Sequence, residues 1–525
     1  MKRWILFGGL LAIMLVVQAG LAMRHSLWAD EVFSLAMATG HSVEHPAAEA
    51  QVERGDFVET DRPISAAELR RYAEFEETSD GLGNVMRAVK LSDTSPPLYY
   101  LLLHLWSRLW GTSDLALRMF SVLCSLACVP LIMAIGRHVE SEKTGWIAAV
   151  LFAMAPVAVY YSSEGRMYSL LWLCVMLAAY ATVRLYRGAA GWCWQVMWIG
   201  AGVAGMLVHY YFVFPFFALA AFLLFRNGAD QRWKLVVRTV VVGVLLLPWY
   251  LQLPDLLSQW RITQNWVEWK PAGYDRLRVA RDLLAQSFSG YGHYLWRSYR
   301  VTEMAALGVF AVAAGATFWR FRMRLFAGPK LMLWLWFIAA CLGPLVADVA
   351  RNTYVASYLR YSSAAMPAAC LLGGLVLSNW RASVSWAAVL LIGVAWAPSV
   401  ANIFRSRSRS GQAMADVAKH IGEHGRADDL ILVHSIPTGA IGLARYTLSP
   451  AGLATWVGQL GQRRVPESLL ALVAGRGRVL LVKVHTVGEP APEEAWLQEH
   501  ANVVKEKQLG DAFITEFRPR AAERF

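Results

Sequence analysis

The chain has 525 residues, of which 56 % are hydrophobic and only 17 % charged, with 23 tryptophans and a mean hydropathy of +0.38. Soluble globular domains carry about 25 % charged residues, and disordered chains combine low hydrophobicity with high charge, so both classes are excluded. Apolar stretches recur along most of the sequence, each about as long as the ~20 residues a helix needs to cross a bilayer; the chain reads as a polytopic membrane protein.

In chain order, Met1-Lys2-Arg3 precedes an apolar run from Trp4 to Met23. The run is longer than a signal-peptide core and further spans follow, which predicts an uncleaved anchor with its N-terminus inside. Residues 24–95 form a long acidic segment outside, and 97–110 is apolar but short for a crossing. Further spans are predicted at 115–137, 143–162, 166–186, 192–208, 210–226, 233–252, 302–320, 330–350, 358–378 and 384–402, for 11–12 in all. Between them lies a second large loop, 253–301. Beyond the last span, Arg405, Arg407 and Arg409 with interleaved serines read as a linker. The tail then predicts helices at Gln412–Gly425, Pro466–Ala474 and Pro492–His500 and strands at Leu430–His434 and Val479–Val484, with a strand-like stretch at Val503–Phe517. The expected fold is therefore mainly α: a transmembrane bundle over 1–402 followed by a small α/β domain over 403–525.

The net charge of +12 follows this division. Residues 24–95 hold 7 Lys/Arg against 14 Asp/Glu, residues 403–525 hold 16 against 13, and the rest holds 27 against 11. The surplus sits in short clusters such as Arg137 to Lys143, Arg184 to Arg187, Arg226 to Lys234 and Arg320 to Lys330. Short loops rich in Lys/Arg stay cytoplasmic, whereas a nucleic-acid surface would gather charge on one soluble face. With the loops near 140, 187, 230, 325 and 381 inside, the turns near 164, 209 and 353, the loop 253–301 and the tail fall outside, provided 97–110 does not cross. The six cysteines lie in or beside apolar spans with no metal or redox spacing. The tail has no Walker A or GxGxxG pattern, so nothing marks a nucleotide site.

Four places could carry chemistry. In Trp28-Ala29-Asp30-Glu31, Asp30 can be the N-cap of a surface helix with Glu31 in its first turn, or a carboxylate at the membrane boundary able to act as general base. In Asp93-Thr94-Ser95-Pro96-Pro97-Leu98-Tyr99-Tyr100, the prolines suit a helix start with Asp93 or Ser95 as cap, and Tyr99 and Tyr100 fit an interfacial aromatic belt. Tyr160 to Tyr168, with Glu164 and Arg166, falls at an outward turn where arginine is disfavoured. Arg166 there either pairs with Glu164 or contacts a phosphate, whose geometry guanidinium matches; Arg360-Tyr361 and Arg118 raise the same question. His209, before Tyr210-Tyr211, reads as a hydrogen-bonded group at a helix break, with no second His or Cys nearby to make a metal site. The cluster Glu74, Glu76, Glu77 reads as a solvated helix face.

These pieces in this order resemble the GT-C superfamily of membrane glycosyltransferases, in the branch of dolichyl-phosphate-mannose protein mannosyltransferases and aminoarabinose lipid A transferases. The likeness covers about residues 1–250 well and Arg360-Tyr361 and the tail more loosely. It implies transfer of a hexose or pentose from a polyprenyl-phosphate donor to an extracytoplasmic acceptor (protein, lipid A or another glycan), with inversion, in the bacterial cytoplasmic membrane. Asp30 matches the acidic residue of the first loop and would be the base, with Glu31 assisting by positioning or by holding a divalent cation where a member uses one. Arg166, Arg360 and Arg118 would neutralise the departing phosphate, and Asp93, Tyr99, Glu164, Tyr168, His209 and Tyr361 would complete the substrate-binding set. No nucleotide sugar is required. The chain departs from the pattern at Ser95, where many relatives have His before Pro-Pro, so no role transfers to that position.

Two other classes compete. A secondary transporter would show midplane charges and repeated halves; the mid-span positions are almost free of charge and no repeat is found. A flippase subunit or non-catalytic scaffold of the same fold could dispense with Asp30, which this chain retains.

Overall fold

The computed structural model describes residues 2–45, 49–92, 95–189, 191–226, 228–258, 262, 266–290, 300–406, 408–486 and 491–520. The chain divides into two compact units, neither continuous in sequence. One comprises Met1–Met23, Arg118–Leu253 and Asn265–Arg405; the other comprises Arg24–Leu117, Pro254–Gln264 and Ser406–Phe525.

The first unit is a helical bundle. Among the described residues, eight helices are long and apolar enough to cross a membrane, and a ninth is formed if Glu142–Met154 and Pro156–Ser162, bent by 65° at Ala155-Pro156, count as one span. Proline at the first position of a helix removes a backbone donor and forces its predecessor out of the helical region; Ala155 is accordingly extended, with ψ 123. Trp192–Val208 and the apolar stretch Tyr210–Arg226 are shorter, 10–17 residues. Eight or nine of the expected 11–12 spans thus qualify by length and composition, and these two shorter apolar stretches stand at two more of the predicted positions. Seventeen residues rise only ~25 Å, short of the ~30 Å hydrocarbon core. Small residues let the helices approach closely: a Cβ on Gly374, in Met366–Ser378, would fall 2.6 Å from the Thr144 carbonyl oxygen of Glu142–Met154.

The basic loops of this unit gather at one end. Arg3 pairs with Glu142 at 2.7 Å, Lys330 with Glu140 at 2.6 Å, and the Lys143 ammonium donates to the Ser378 carbonyl at 3.2 Å. Arg184 lies 4.2 Å from the Trp194 ring centre. Loops far apart in sequence thus share one face, as the charge pattern predicts.

The second unit is built from both ends of the chain. Its sheet has the order β2-β1-β3-β5-β4, with β1 Leu430–His434, β2 Gly452–Trp456, β3 Val479–Lys483, β4 Ala501–Leu509 and β5 Ala512–Pro519. The pairs β1–β2 and β1–β3 are parallel, while β5 runs antiparallel to β3 and to β4. Leu430, Leu432, Leu481, Trp456 and Phe517 form its core with Leu469, Leu472 and Leu497 from the helices. The predicted strand Leu430–His434 and helix Pro492–His500 are observed with those bounds. The stretch Val503–Phe517 is a hairpin turning at Gly510, whose φ of 64 suits glycine. Helix Pro437–Tyr446 and strand β2 were not expected.

Residues from the first long loop join this sheet. Ile64 bridges Leu453 in β2, and Glu59 accepts from the Val457 N–H at 2.8 Å and the Thr455 hydroxyl at 3.2 Å. Several local expectations fail here. Glu74, Glu76 and Glu77 are not on a helix, and Glu76 pairs with the buried His41 at 3.3 Å. Arg409 is not a solvated linker residue but is buried in the unit, 1 % exposed, and Arg407 lies outside the described residues. The stretch 97–110 is the 13-residue helix Leu98–Trp110, too short to cross, whose buried face carries Tyr99, Tyr100, Leu103 and His104.

Candidate active site

The residues singled out from sequence fall into two sets, one in each unit. In the second unit, Asp30 and Glu31 open the helix Ala29–Ala38. Trp28, not Asp30, occupies the N-cap, with extended backbone (φ −97, ψ 169), so Asp30 is the second helical residue. Glu31 is fully buried and its Oε2 accepts from the Trp28 N–H at 3.3 Å, the returning arm of a capping box. Asp30 is only half-buried. Glu31 is therefore committed to the helix start, and the negative charge of a carboxylate in a first turn is stabilised by the helix dipole.

The helix Leu98–Trp110 packs against Ala29–Ala38, with a His104 ring nitrogen 2.8 Å from the Ala38 carbonyl oxygen. Pro97 takes the N-cap rather than the first helical position. Tyr99 and Tyr100 are fully buried, their rings 5.5 Å apart edge to face, so they are core residues and not an interfacial belt. Their aromatic area is spent on fixing this helix beside the one that carries Asp30. Asp93 lies outside the described residues.

In the first unit, the turn between Pro156–Ser162 and Tyr168–Tyr186 carries Glu164 and Arg166, both buried. The Arg166 N–H donates to the Glu164 carbonyl at 2.8 Å, and the Arg166 carbonyl accepts from the Ser121 hydroxyl at 3.1 Å. The turn is thereby pinned to the helix Asp114–Val139 one turn beyond Arg118. Arg118 is fully buried, and its Nη1 donates to the Ala22 carbonyl at 2.8 Å. It thus satisfies one of the orphan carbonyls that end the first helix, Lys2–Ala22, where a cation is also favoured by the dipole.

A chain of aromatic rings links this turn to two other segments. Tyr161 and Tyr168 lie 4.8 Å apart, Tyr168 and His209 6.4 Å, and His209 and Tyr361 6.0 Å. His209 Nδ1 accepts from the Tyr211 N–H at 3.2 Å, which fixes the ring at the break between helices. Arg166 and Arg360 both act electrostatically on His209 and on Tyr168. The structure so brings Glu164, Arg166, Tyr168, His209, Arg360 and Tyr361 into one cluster from three separate segments.

The Arg360 guanidinium is enclosed by rings, 5.4 Å from the centre of Trp266, 5.3 Å from Tyr358 and 5.2 Å from Tyr361. Its segment is held by Asp348, which is fully buried and accepts from the Thr353 hydroxyl at 2.6 Å and from the N–H groups of Val355 and Ala356 at 3.1 and 2.8 Å. The Tyr354 N–H donates to the Val267 carbonyl at 2.8 Å, which brings Trp266 alongside. Sequence reading missed Trp266 and Asp348. Tyr358 could have been found from its place two residues before Arg360, but nothing local marks Trp266. Among the described residues no group of three or more His, Cys, Asp or Glu side chains is placed to hold a metal ion.

Residues 94–251 match the model of the dolichyl-phosphate-mannose-protein mannosyltransferase family. The structure of ArnT from Cupriavidus metallidurans in the apo state superposes with a TM-score of 0.61 at 14 % identity, covering 98 % of both chains. ArnT from the same organism bound to undecaprenyl phosphate gives 0.58, also at 14 % identity and 98 % of both chains. No curated protein sequence matches. The chain has the ArnT-like GT-C fold along nearly its whole length, with the helical membrane bundle and the small C-terminal sheet expected from its sequence.

Proposed function

We propose that the chain is an integral-membrane glycosyltransferase that moves a sugar from a polyprenyl-phosphate donor to an acceptor outside the cytoplasm. The observation that carries this reading is that the Arg166 turn and the Arg360 segment meet through the rings of Tyr168, His209 and Tyr361. Two guanidinium groups converging from segments nearly 200 residues apart suit a phosphate leaving group, which they match in shape and charge. The match of residues 94–251 to a mannosyltransferase family and the fold shared with an undecaprenyl-phosphate-binding ArnT support it.

The chemistry follows from the residue types. Asp30 takes the proton of the acceptor's hydroxyl as that oxygen attacks the anomeric carbon from the side opposite the phosphate. The bond between that carbon and the phosphate oxygen breaks, and polyprenyl phosphate departs with the bonding electrons, which inverts the anomeric centre. Arg166 and Arg360 offset the charge that develops on the phosphate, preorganised by the ring enclosure and the pinned turn. Glu164, Tyr168, His209 and Tyr361 line the phosphate end, Glu31 keeps the Asp30 helix started, Ser121 pins the turn that carries Arg166, and Arg118 joins the arginines at the phosphate while its Nη1 holds the end of the first helix. The end opposite the basic loops faces out of the cytoplasm under the positive-inside rule, in a bacterial inner membrane. Protein, lipid A or another glycan is the acceptor.

The test uses purified protein in lipid nanodiscs with a polyprenyl-phosphate sugar and acceptor. Asp30→Asn is expected to lower release of polyprenyl phosphate by ~10²–10⁴-fold, the usual worth of a positioned base. Unchanged release in a folded Asp30→Asn protein overturns the assignment of the base.

A further inference from the structure

We propose that Gln412, at the start of the C-terminal segment, is a positioning residue for Asp30, so that the C-terminal domain sets the aim of the carboxylate. This inference rests on the reading of Asp30 as the base.

The first N–H groups of a helix have no partner within it. In Ala29–Ala38, the N–H groups of Glu31 and Val32 both donate to the Trp28 carbonyl, at 2.9 and 3.1 Å. The Ala29 N–H, adjacent in the chain to Asp30, donates instead to Gln412 Oε1 at 2.8 Å, across 383 residues of sequence. Two residues earlier the Leu27 N–H donates to the Tyr446 hydroxyl at 2.7 Å, and a His25 ring nitrogen lies 2.9 Å from the Ser406 carbonyl oxygen. Residues 25, 27 and 29 are therefore each tied to the C-terminal segment, while the Trp28 N–H is taken by Glu31.

Both side chains are themselves held. An N–H can only donate, so the Ala29 contact orients the Gln412 amide with its oxygen toward the helix. The Gln412 Nε2 then donates to His485 Nδ1 at 2.7 Å, which places the proton of a neutral His485 on Nε2. His485 follows β3 in a left-handed conformation, φ 46, rare for a side chain of this kind. The Tyr446 hydroxyl donates to Asp114, which also takes Arg445 Nε at 2.7 Å. Gln412 is 3 % exposed, so water does not compete for these bonds, and a buried network with its members satisfied is rigid. Glycine at 442 lets the helix Pro437–Tyr446 lie against the Asp30 helix: a Cβ there would meet Val32 Cγ2 at 3.3 Å.

A base displaced by ~1 Å can cost ~10²-fold in rate. In the intact chain in nanodiscs, Gln412→Met is expected to lower kcat by ~10–100-fold, with KM for the donor changed less than ~2-fold. Gln412→Glu keeps the acceptor for Ala29 and is expected to retain kcat within ~3-fold of the parent. Hydrogen exchange across residues 25–32 is expected to quicken in Gln412→Met and not in Gln412→Glu. Tyr446→Phe, which keeps the ring, is expected to quicken exchange at Leu27 with a smaller loss of kcat. A Gln412→Met protein with parental kcat and exchange overturns the proposal, as does a loss that appears wholly in KM or that Glu fails to rescue. If exchange quickens as expected but Asp30→Asn is fully active, the brace stands and the base assignment fails. If Asp30→Asn is inactive but Gln412→Met changes neither measurement, the base stands and the brace fails.

Discussion

The two units hold their candidate groups in opposite ways. In the helical unit, each group belongs to a short stretch that already carries its chemistry, Tyr160 to Tyr168, His209 to Tyr211, Tyr358 to Tyr361, and helices bring the stretches together. In the other unit, Glu31 caps the Asp30 helix from within the stretch, and the ties that anchor that stretch come from 412 and 446. The difference is one of redundancy. Rings and hydrogen bonds from several neighbours overlap around Arg360, whereas the Ala29 N–H depends on one amide.

The sharpest way to break that comparison is to remove the best-supported group of the helical unit. Arg360→Leu is expected to lower kcat/KM by ~10²–10³-fold, the worth of a preorganised charge at a developing anion. Arg360→Lys is expected to recover little of it. An ammonium does not present the planar fork that lies over Trp266 and Tyr361 and that matches phosphate. Steady-state release of polyprenyl phosphate checks both variants. Equal activity in Arg360→Lys would show that charge alone suffices and that the ring enclosure is packing.

Smaller losses are expected from the supports. Asp348→Ala strands a buried hydroxyl and two N–H groups, at about 1–3 kcal/mol for each buried group left unmet. Part of that is recovered by movement of 353–356, and a ~10–100-fold fall in kcat/KM is expected. Trp266→Leu removes one of three rings, and at about 0.5–2 kcal/mol for a cation–π contact the expected fall is ~3–30-fold. Were Trp266→Leu to cost more than Asp348→Ala, redundancy around Arg360 would be the wrong description.

The same contrast explains what the sequence made legible. Apolar length and basic loops located the helices, and Trp192–Val208 is observed with the predicted bounds, because hydrophobic runs report directly on the solvent around them. The order of carboxylate, Pro-Pro and an arginine at a turn between spans was enough to suggest the fold. Helix Pro437–Tyr446 escaped because Gly439 and Gly442 lower its propensity. A Cβ on Gly439 would fall 2.0 Å from Ser435 Oγ, four residues earlier, and 3.3 Å from the Val484 carbonyl oxygen; the second is a tertiary contact that no local pattern reports. Tyr99 was misplaced for a related reason. An aromatic at an apolar helix start fits either a membrane boundary or a core, and only the partner helix decides. Gln412 and Trp266 had no signal, since each matters through a group hundreds or tens of residues away.

The smallest effect on turnover is expected in the second unit, at Glu59, and it sharpens the comparison by separating stability from catalysis. Burial raises the Glu59 carboxyl to about 7 from 4.5, against the opposing pull of Arg463, the Val457 N–H and the Thr455 hydroxyl. Arg463 is 3.5 Å away, so the cost of removing the charge from water exceeds what the pair returns, as is common for buried ion pairs. The folded protein therefore binds this proton more tightly than the unfolded chain does. Its contribution is fully present below pH 4.5 and is lost as pH rises through about 7, with a slope of at most about 1.4 kcal/mol per pH unit. Glu59→Gln cannot titrate, so its unfolding temperature should depend less on pH across that window than the parent's, with release of polyprenyl phosphate unchanged. Thermal unfolding of both proteins between pH 4.5 and pH 8 reads the difference. Parallel curves would mean that Glu59 is charged in the fold throughout. A loss of turnover would mean that the tie between the first loop and β2 reaches Asp30, and that the second unit is no less cross-braced than the first.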